Sequence, residues 1–157
     1  MVTAEWLRKT ELFRGLEASQ LDRILSYASV ESFPERTTIF RRGEEAHRFF
    51  ILVEGAVALA AKTGEKNDFM TSKIEKEGTV FGMPSILEPF HYNVTGTCLQ
   101  ASKVLVIEAG PLRKQMEEDP KMGMEIMKSL ASIYFHRLNE MRDGISKLLH
   151  LFKSRSS

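Results

Sequence analysis

The sequence predicts an α+β chain: an antiparallel β-roll of the double-stranded β-helix or jelly-roll type, with helices before it, one short helix within it and a long helix after it. Three observations carry this expectation. Apolar residues recur at helical spacing ahead of Val30. From Val30 to Glu108 they fall in short β-branched or aromatic runs cut by Gly or charge clusters. After Ile107 the helical period returns and holds as far as Phe152. The 157 residues suit one ordinary domain with a buried core. Residues 1–119 are expected to form the roll with its N-terminal helices, and 120–157 a C-terminal dimerisation helix with a short tail.

Taken in chain order, Leu7, Leu12 and Phe13 recur at helix-like intervals. Ser19, followed by Gln20, Leu21, Ile24, Leu25 and Ala28, has the look of a capped amphipathic helix. The strand candidates are SVESF, TTIF, RFFILVE, AVALAAK, FMTSKIE, TVF, NVTGTC and SKVLVIE, with turns at RRGEEA, VEG and KTGEKND. Short strands at such even spacing point to an antiparallel barrel or sandwich rather than to βαβ units. Gly43 and Gly55 lie between strand-like runs and are expected to be scaffold, whereas Gly82 precedes a helix start where the backbone must come close to something. Pro111 suits the first turn of a short helix, PLRKQMEED, and Pro120 opens the last one.

That last helix has the clearest period. Met127, Ala131, Tyr134, Leu138, Met141, Ile145, Leu148 and Phe152 advance by alternating steps of four and three, the a/d seam of a coiled coil held for more than three heptads. The expectation is a homodimer through this seam, with Leu130 and Ile133 beside it turned toward the roll. The alternative is a stripe that packs on its own roll, but the later turns reach beyond what one small roll covers. Gly144 inside the helix costs about 1 kcal/mol relative to Ala and permits a close approach or a bend.

Composition excludes some functions. Lys and Arg number 22 against 21 Asp and Glu, a formal charge of +1, so no global field draws the chain to nucleic acid or an anionic membrane. A single cysteine, Cys98, forms no internal disulfide and fits a reducing compartment. MVTAEWLRKTELF lacks the apolar core of a signal peptide, and the longest apolar runs, FFILV and AVALAA, fall far short of the about 20 residues that span a bilayer. A cytoplasmic protein without membrane contact is expected.

The order of parts resembles the cyclic-nucleotide-binding domain of catabolite-activator-type regulators, kinase regulatory subunits and cyclic-nucleotide-gated channels. LFRGLEASQLDRI is similar to the opening helix pair of that family. TTIFRRGEEAHRFFILVEGAVAL is similar to its signature of an Ile-Phe strand, a turn at Gly43, an aromatic and aliphatic strand, and Gly55 before the next strand. GTVFG resembles the entry to its phosphate-binding cassette, and SKVLVIE the strand after it. The resemblance covers about residues 7 to 142 and implies a regulatory sensor rather than an enzyme.

It also implies a pocket that this chain equips unusually. In the family the Gly matching Gly82 precedes a Glu that holds the ribose hydroxyl. About ten residues later comes an Arg that pairs with the phosphate, a fork that fits an anion. Here the Glu position is Met83, and the Arg position is Tyr92, or Asn93 if the loop is one residue longer. Pro84 removes an amide from the helix start, although a first-turn proline also stabilises the helix itself. The candidate cassette is therefore Gly82, Met83, Pro84, Ser85, Tyr92, Asn93, Val94 and Thr95. Arg137 and Arg142 on the last helix are candidate replacement cations, or else part of the solvated flank of the seam. Losing the Glu and Arg contacts weakens binding by roughly two to four orders of magnitude. The resemblance thus implies cAMP or cGMP bound weakly or not at all, or else held through non-standard contacts, and some other small molecule as a further ligand. Glu88 adds a carboxylate near the cassette, and His91 is the titratable group beside it.

Other chemistry finds little support. His47, His91, His136 and His150 lack metal-site spacing, which argues against a cupin-like metalloenzyme on a similar roll. There is no GxxxxGK[ST] sequence and no Ser/His/Asp arrangement. Cys98 in GTCLQ reads as a buried thiol. Only five residues follow Phe152, so DNA binding by this chain alone is not expected.

Overall fold

The computed structural model describes the backbone of residues 1–62 and 68–156, so the predicted turn KTGEKND lies largely outside the described residues. The chain runs α1 (Ala4–Arg8), α2 (Ala18–Leu25), β1 (Ala28–Phe33), β2 (Thr38–Phe40), β3 (Arg48–Glu54), β4 (Val57–Lys62), β5 (Asp68–Ile74), β6 (Val80–Phe81), a 3-10 turn (Met83–Ile86), β7 (Thr95–Cys98), β8 (Ser102–Glu108), α3 (Ala109–Glu118) and α4 (Pro120–Ser156). This is the α+β roll that the sequence predicts.

Two N-terminal details differ from expectation. Leu12 and Phe13 are not helical: α1 ends at Arg8, and both are fully buried in the irregular segment that follows. Their spacing reflects burial against the roll rather than a helical period. Nor does Ser19 cap α2. Glu17 does, with its backbone N–H donating to Gln20 Oε1 at 2.7 Å in a capping box, which places Ser19 inside the first turn.

Two four-stranded antiparallel sheets form the roll, in the orders β1-β8-β3-β6 and β2-β7-β4-β5. β3 and β8 pair Phe49 with Ile107, Phe50 with Val106, Ile51 with Leu105 and Leu52 with Val104. Alternation then divides them between two cores. Phe49, Ile51, Leu105 and Ile107 join the helices in one cluster. Phe50, Leu52, Val104 and Val106 join Phe40, Leu59, Phe81 and Tyr92 between the sheets. All eight strand residues are at most 3% exposed, so both faces of this sheet are covered, and FFILV and VLVI are accordingly apolar throughout rather than alternating.

The helical layer is tied together by polar groups as well. Asp119, between α3 and α4, accepts from the Met122 N–H at 3.3 Å and from Gln20 Nε2 at 2.8 Å. The α3–α4 corner is thereby held to α2. Met122, Ile126, Leu130 and Ile133 seat α4 on the helix-side core, as expected for Leu130 and Ile133. The seam residues lie on another face. From Leu138 at 51% to Met141 at 64%, and through Ile145, Leu148 and Phe152, they are exposed in the single chain. α4 runs unbroken through Gly144, roughly 55 Å in all.

Burial of Ile126 generates a direct test. Ile126→Ala is expected to lower the unfolding free energy by about 2–5 kcal/mol in urea denaturation, and a loss below about 1 kcal/mol would show that α4 is not seated as described.

Candidate functional site

β6 sends Val80 toward the helices and Phe81 into the roll, and the chain must then turn at once. Gly82 does this with φ 75° and ψ 28°, a left-handed conformation, as the residue that caps the 3-10 turn. A Cβ there would lie 2.6 Å from Phe50 Cδ2 and 3.3 Å from the Arg48 carbonyl oxygen. The close approach expected at Gly82 is therefore to Phe50 of its own chain, which already requires glycine without any ligand.

The donors of this turn point inward. Pro84 has no N–H. Ser85 is fully buried and gives both its N–H, at 3.2 Å, and its hydroxyl, at 2.8 Å, to the Gly82 carbonyl. At the far end of the loop the Tyr92 ring lies 4.4 Å from Phe40, in line with a stack of Phe40 on Phe50 at 5.4 Å and Phe50 on Phe81 at 5.2 Å. Its hydroxyl donates to the Arg48 carbonyl at 2.7 Å and accepts from the Arg48 N–H at 3.3 Å. Burial raises the phenol above its ordinary value, with the Arg48 hydrogen bond opposing it. At one of the two positions where the resemblance implies a phosphate-binding Arg, the chain has a ring that belongs to the core and a hydroxyl tied to β3.

Between the roll and α4 lies an open cavity of about 1280 Å³. Of the predicted site residues it brings together Gly82, Met83, Pro84, Tyr92, Asn93, Val94 and Arg137, and it adds Tyr134, Leu138 and Met141 from the seam. Ser85 and Thr95 are not in its wall: Ser85 faces the cassette interior, and the Thr95 hydroxyl accepts from the Arg42 N–H at 3.0 Å. Arg142 is exposed on α4 away from it, and His91 sits in solvent with Nδ1 2.8 Å from the Pro89 carbonyl. Among the described residues no group of three or more His, Cys, Asp and Glu side chains gathers to hold a metal, and no helix is long and apolar enough to cross a membrane.

Arg137 faces the roll rather than the solvated flank. Its Nη2 donates to the Val80 carbonyl at 3.1 Å and lies 3.8 Å from Glu11 Oε1, which itself accepts from the Val80 N–H at 3.0 Å. Val80 pairs with Ile51 of β3 on one side only, so Glu11 and Arg137 together satisfy its backbone groups on the open side of this edge strand. Glu11, Arg14 and Arg113 were not foreseen. Arg113 of α3 donates to the Ser85 carbonyl at 3.0 Å and rests 4.2 Å over the Phe90 ring. It ties α3 to the back of the cassette. All three belong to exposed-looking, charged stretches of sequence with no motif, so no local signal separates them from solvated neighbours.

The family model described as "Cyclic nucleotide-binding domain" matches residues 30–119. A CRP-like cAMP-activated global transcriptional regulator of Mycobacterium tuberculosis is 21% identical over 145 residues, which cover 92% of this chain and 62% of that one. A global nitrogen regulator of Synechococcus elongatus is 30% identical over 126 residues, 77% of this chain and 53% of that one. The chain thus spans less than two thirds of these curated relatives. Among solved structures, a Geobacter metallireducens protein assigned as cyclic nucleotide-binding superposes with a TM-score of 0.77 at 27% identity, over 88% of this chain and 99% of that one.

The Gly82 geometry predicts a steep cost for any side chain. Gly82→Ala combines a left-handed backbone with a collision against Phe50 and is expected to cost about 2–4 kcal/mol, against about 1–2 kcal/mol for Gly43→Ala, whose Cβ meets nothing within 4 Å. Parallel chemical denaturation of the two variants reads the difference, and equal costs would refute the Phe50 contact.

Proposed function

Because the chain belongs to the cyclic nucleotide-binding domain family, a family of regulatory sensor domains, we propose that it is a non-enzymatic sensor module whose cassette keeps the family backbone but has lost the polar grip on a cyclic nucleotide. Tyr92 carries this reading. Its hydroxyl is committed to the Arg48 backbone and its ring to Phe40, so it presents no cation to the cavity. Met83 stands where the family has its ribose-binding Glu, and the Ser85 donors are turned onto Gly82. The second reading is a cyclic-nucleotide receptor with non-standard contacts. What favours it is that Arg137 brings a cation to the opposite wall of the same cavity.

Dimerisation through α4 is the second part of the proposal. The stripe Tyr134, Leu138, Met141, Ile145, Leu148 and Phe152 holds a coiled-coil period, while a different set of α4 residues, from Met122 to Ile133, packs on the roll. A second copy of the same stripe is the occupant with the matching period. Tyr134, Leu138 and Met141 belong to both the seam and the cavity wall, so a change of cavity contents bears on the residues that set the pairing of α4.

Two measurements test these points. Titration calorimetry with cAMP and with cGMP is expected to show no saturation below about 10 μM; clean saturation below that concentration would sink the altered-cassette reading in favour of the second one. Leu138→Glu combined with Met141→Lys is expected to give a folded monomer by light scattering, and an unchanged mass would refute the seam.

A further inference from the structure

The polarity of the cavity walls says more about what would fit there. The cassette stretch of the roll-side wall, Gly82, Met83, Pro84, Tyr92, Asn93 and Val94, carries no charged side chain. The cations stand opposite, on α4 and on the segment after α1. Among the described residues Arg137 makes one hydrogen bond, to the Val80 carbonyl, and its approach to Glu11 at 3.8 Å is beyond hydrogen-bonding distance, which leaves most of a five-donor guanidinium uncommitted by them. Arg14 lines the same cavity and forms no hydrogen bond or ion pair with any described residue. Lys73 is a third cation of the wall but is paired with Glu75 at 3.3 Å. The charge pattern is thus reversed relative to a phosphate cradle: the cassette wall is uncharged and the two less committed cations, Arg137 and Arg14, lie across from it.

We infer that the cavity takes an apolar carboxylate, with an aromatic or branched aliphatic body against Pro84, Val94 and Leu138 and its single negative charge on Arg137 and Arg14. The inference rests on the altered-cassette reading above and gives that site a ligand class. An apolar body matches these residues because Pro84, Val94 and Leu138 keep accessible apolar surface that a ligand would take out of water. One negative charge suits the cations and a second does not, because Glu11 and Glu140 line the same cavity and repel a dianion. A carboxylate that competes with Glu11 for Arg137 acts on the group that also holds the Val80 edge to α4, so occupancy bears on the seating of the helix.

The probes are naphthoate and its uncharged counterpart naphthylmethanol, titrated into the isotope-labelled full chain while backbone amide shifts are followed. Naphthoate is expected to bind at least about tenfold more tightly than the alcohol, with shifts centred on Phe81, Met83, Asn93 and Ser132. Arg137→Met is expected to remove most of that preference and leave alcohol binding unchanged. Arg14→Met, a side chain that supports no other described residue, is the companion variant should Arg137→Met fail to fold; it is expected to weaken naphthoate by a few-fold and the alcohol not at all. Equal affinity for acid and alcohol, shifts confined to Leu149, His150 and Phe152, indifference to both arginine variants, or no saturation with naphthoate in the millimolar range would each overturn the inference. A charge-indifferent response together with no cyclic-nucleotide binding fells this inference alone, whereas tight cyclic-nucleotide binding fells the reading beneath it.

Discussion

The pairing of β3 with β8 is the constraint on which the rest of the molecule depends. These two strands are buried on both faces, and their alternation assigns every second residue to the helix-side core and the remainder to the interior of the roll. A shift of one residue would exchange Phe49 and Ile51 with Phe50 and Leu52 and spoil both cores together. Everything functional is placed relative to this ladder. Phe50 stacks on Phe40 and Phe81, the Arg48 backbone receives Tyr92, and β6 pairs with β3 just before the cassette turn. The turn therefore forms through packing against Phe50 without any ligand contact.

The frame of the cassette turn is held by contacts within the chain. Gly82 answers to Phe50, Ser85 to the Gly82 carbonyl and Tyr92 to Arg48, so each has an internal partner that stabilises the loop without any ligand. Side chains of α3 and α4 tie the helices to the two sides of the cassette turn. Arg137 contacts the β6 edge, and Arg113 holds α3 to the Ser85 carbonyl and Phe90. Cassette and helices are thus joined by two arginines, one at each side of the turn. A displacement of the cassette by cavity contents has a short covalent and hydrogen-bonded route to the α3–α4 corner, where Asp119 already joins α2 to α4.

Much of the fold was legible because burial leaves a local imprint. Strands covered on both faces must be apolar throughout, and RFFILVE and SKVLVIE appear where the sequence places them. Pro111 and Pro120 mark helix starts because proline tolerates only a first turn. Leu12 and Phe13 misled because two buried residues of a non-helical segment can share the spacing of a helix face. Ser19 misled because Glu17 and Gln20 form the capping box two residues earlier, and serine is acceptable inside a first turn. At the site, the absence of a cation at Tyr92 or Asn93 could be read directly, since it is a matter of residue identity. Which wall of the cavity carries cations could not, because Arg14, Arg113, Arg137 and Arg142 look alike in sequence.

The sequence by itself determined the α+β roll, the long helix with its coiled-coil period, and the absence of Lys and Arg from residues 78–98, because apolar period and side-chain chemistry are properties of local residue order. Only the tertiary structure decided that Gly82 serves Phe50, that Tyr92 turns its hydroxyl to β3, and that Arg137 rather than Arg142 reaches the cavity. Those outcomes depend on which groups meet across about 30 to 60 residues of intervening chain, as between Phe50 and Gly82, Arg48 and Tyr92, or Val80 and Arg137. Contacts at that separation are set by how the helices and strands stack, and no short stretch of the chain encodes them.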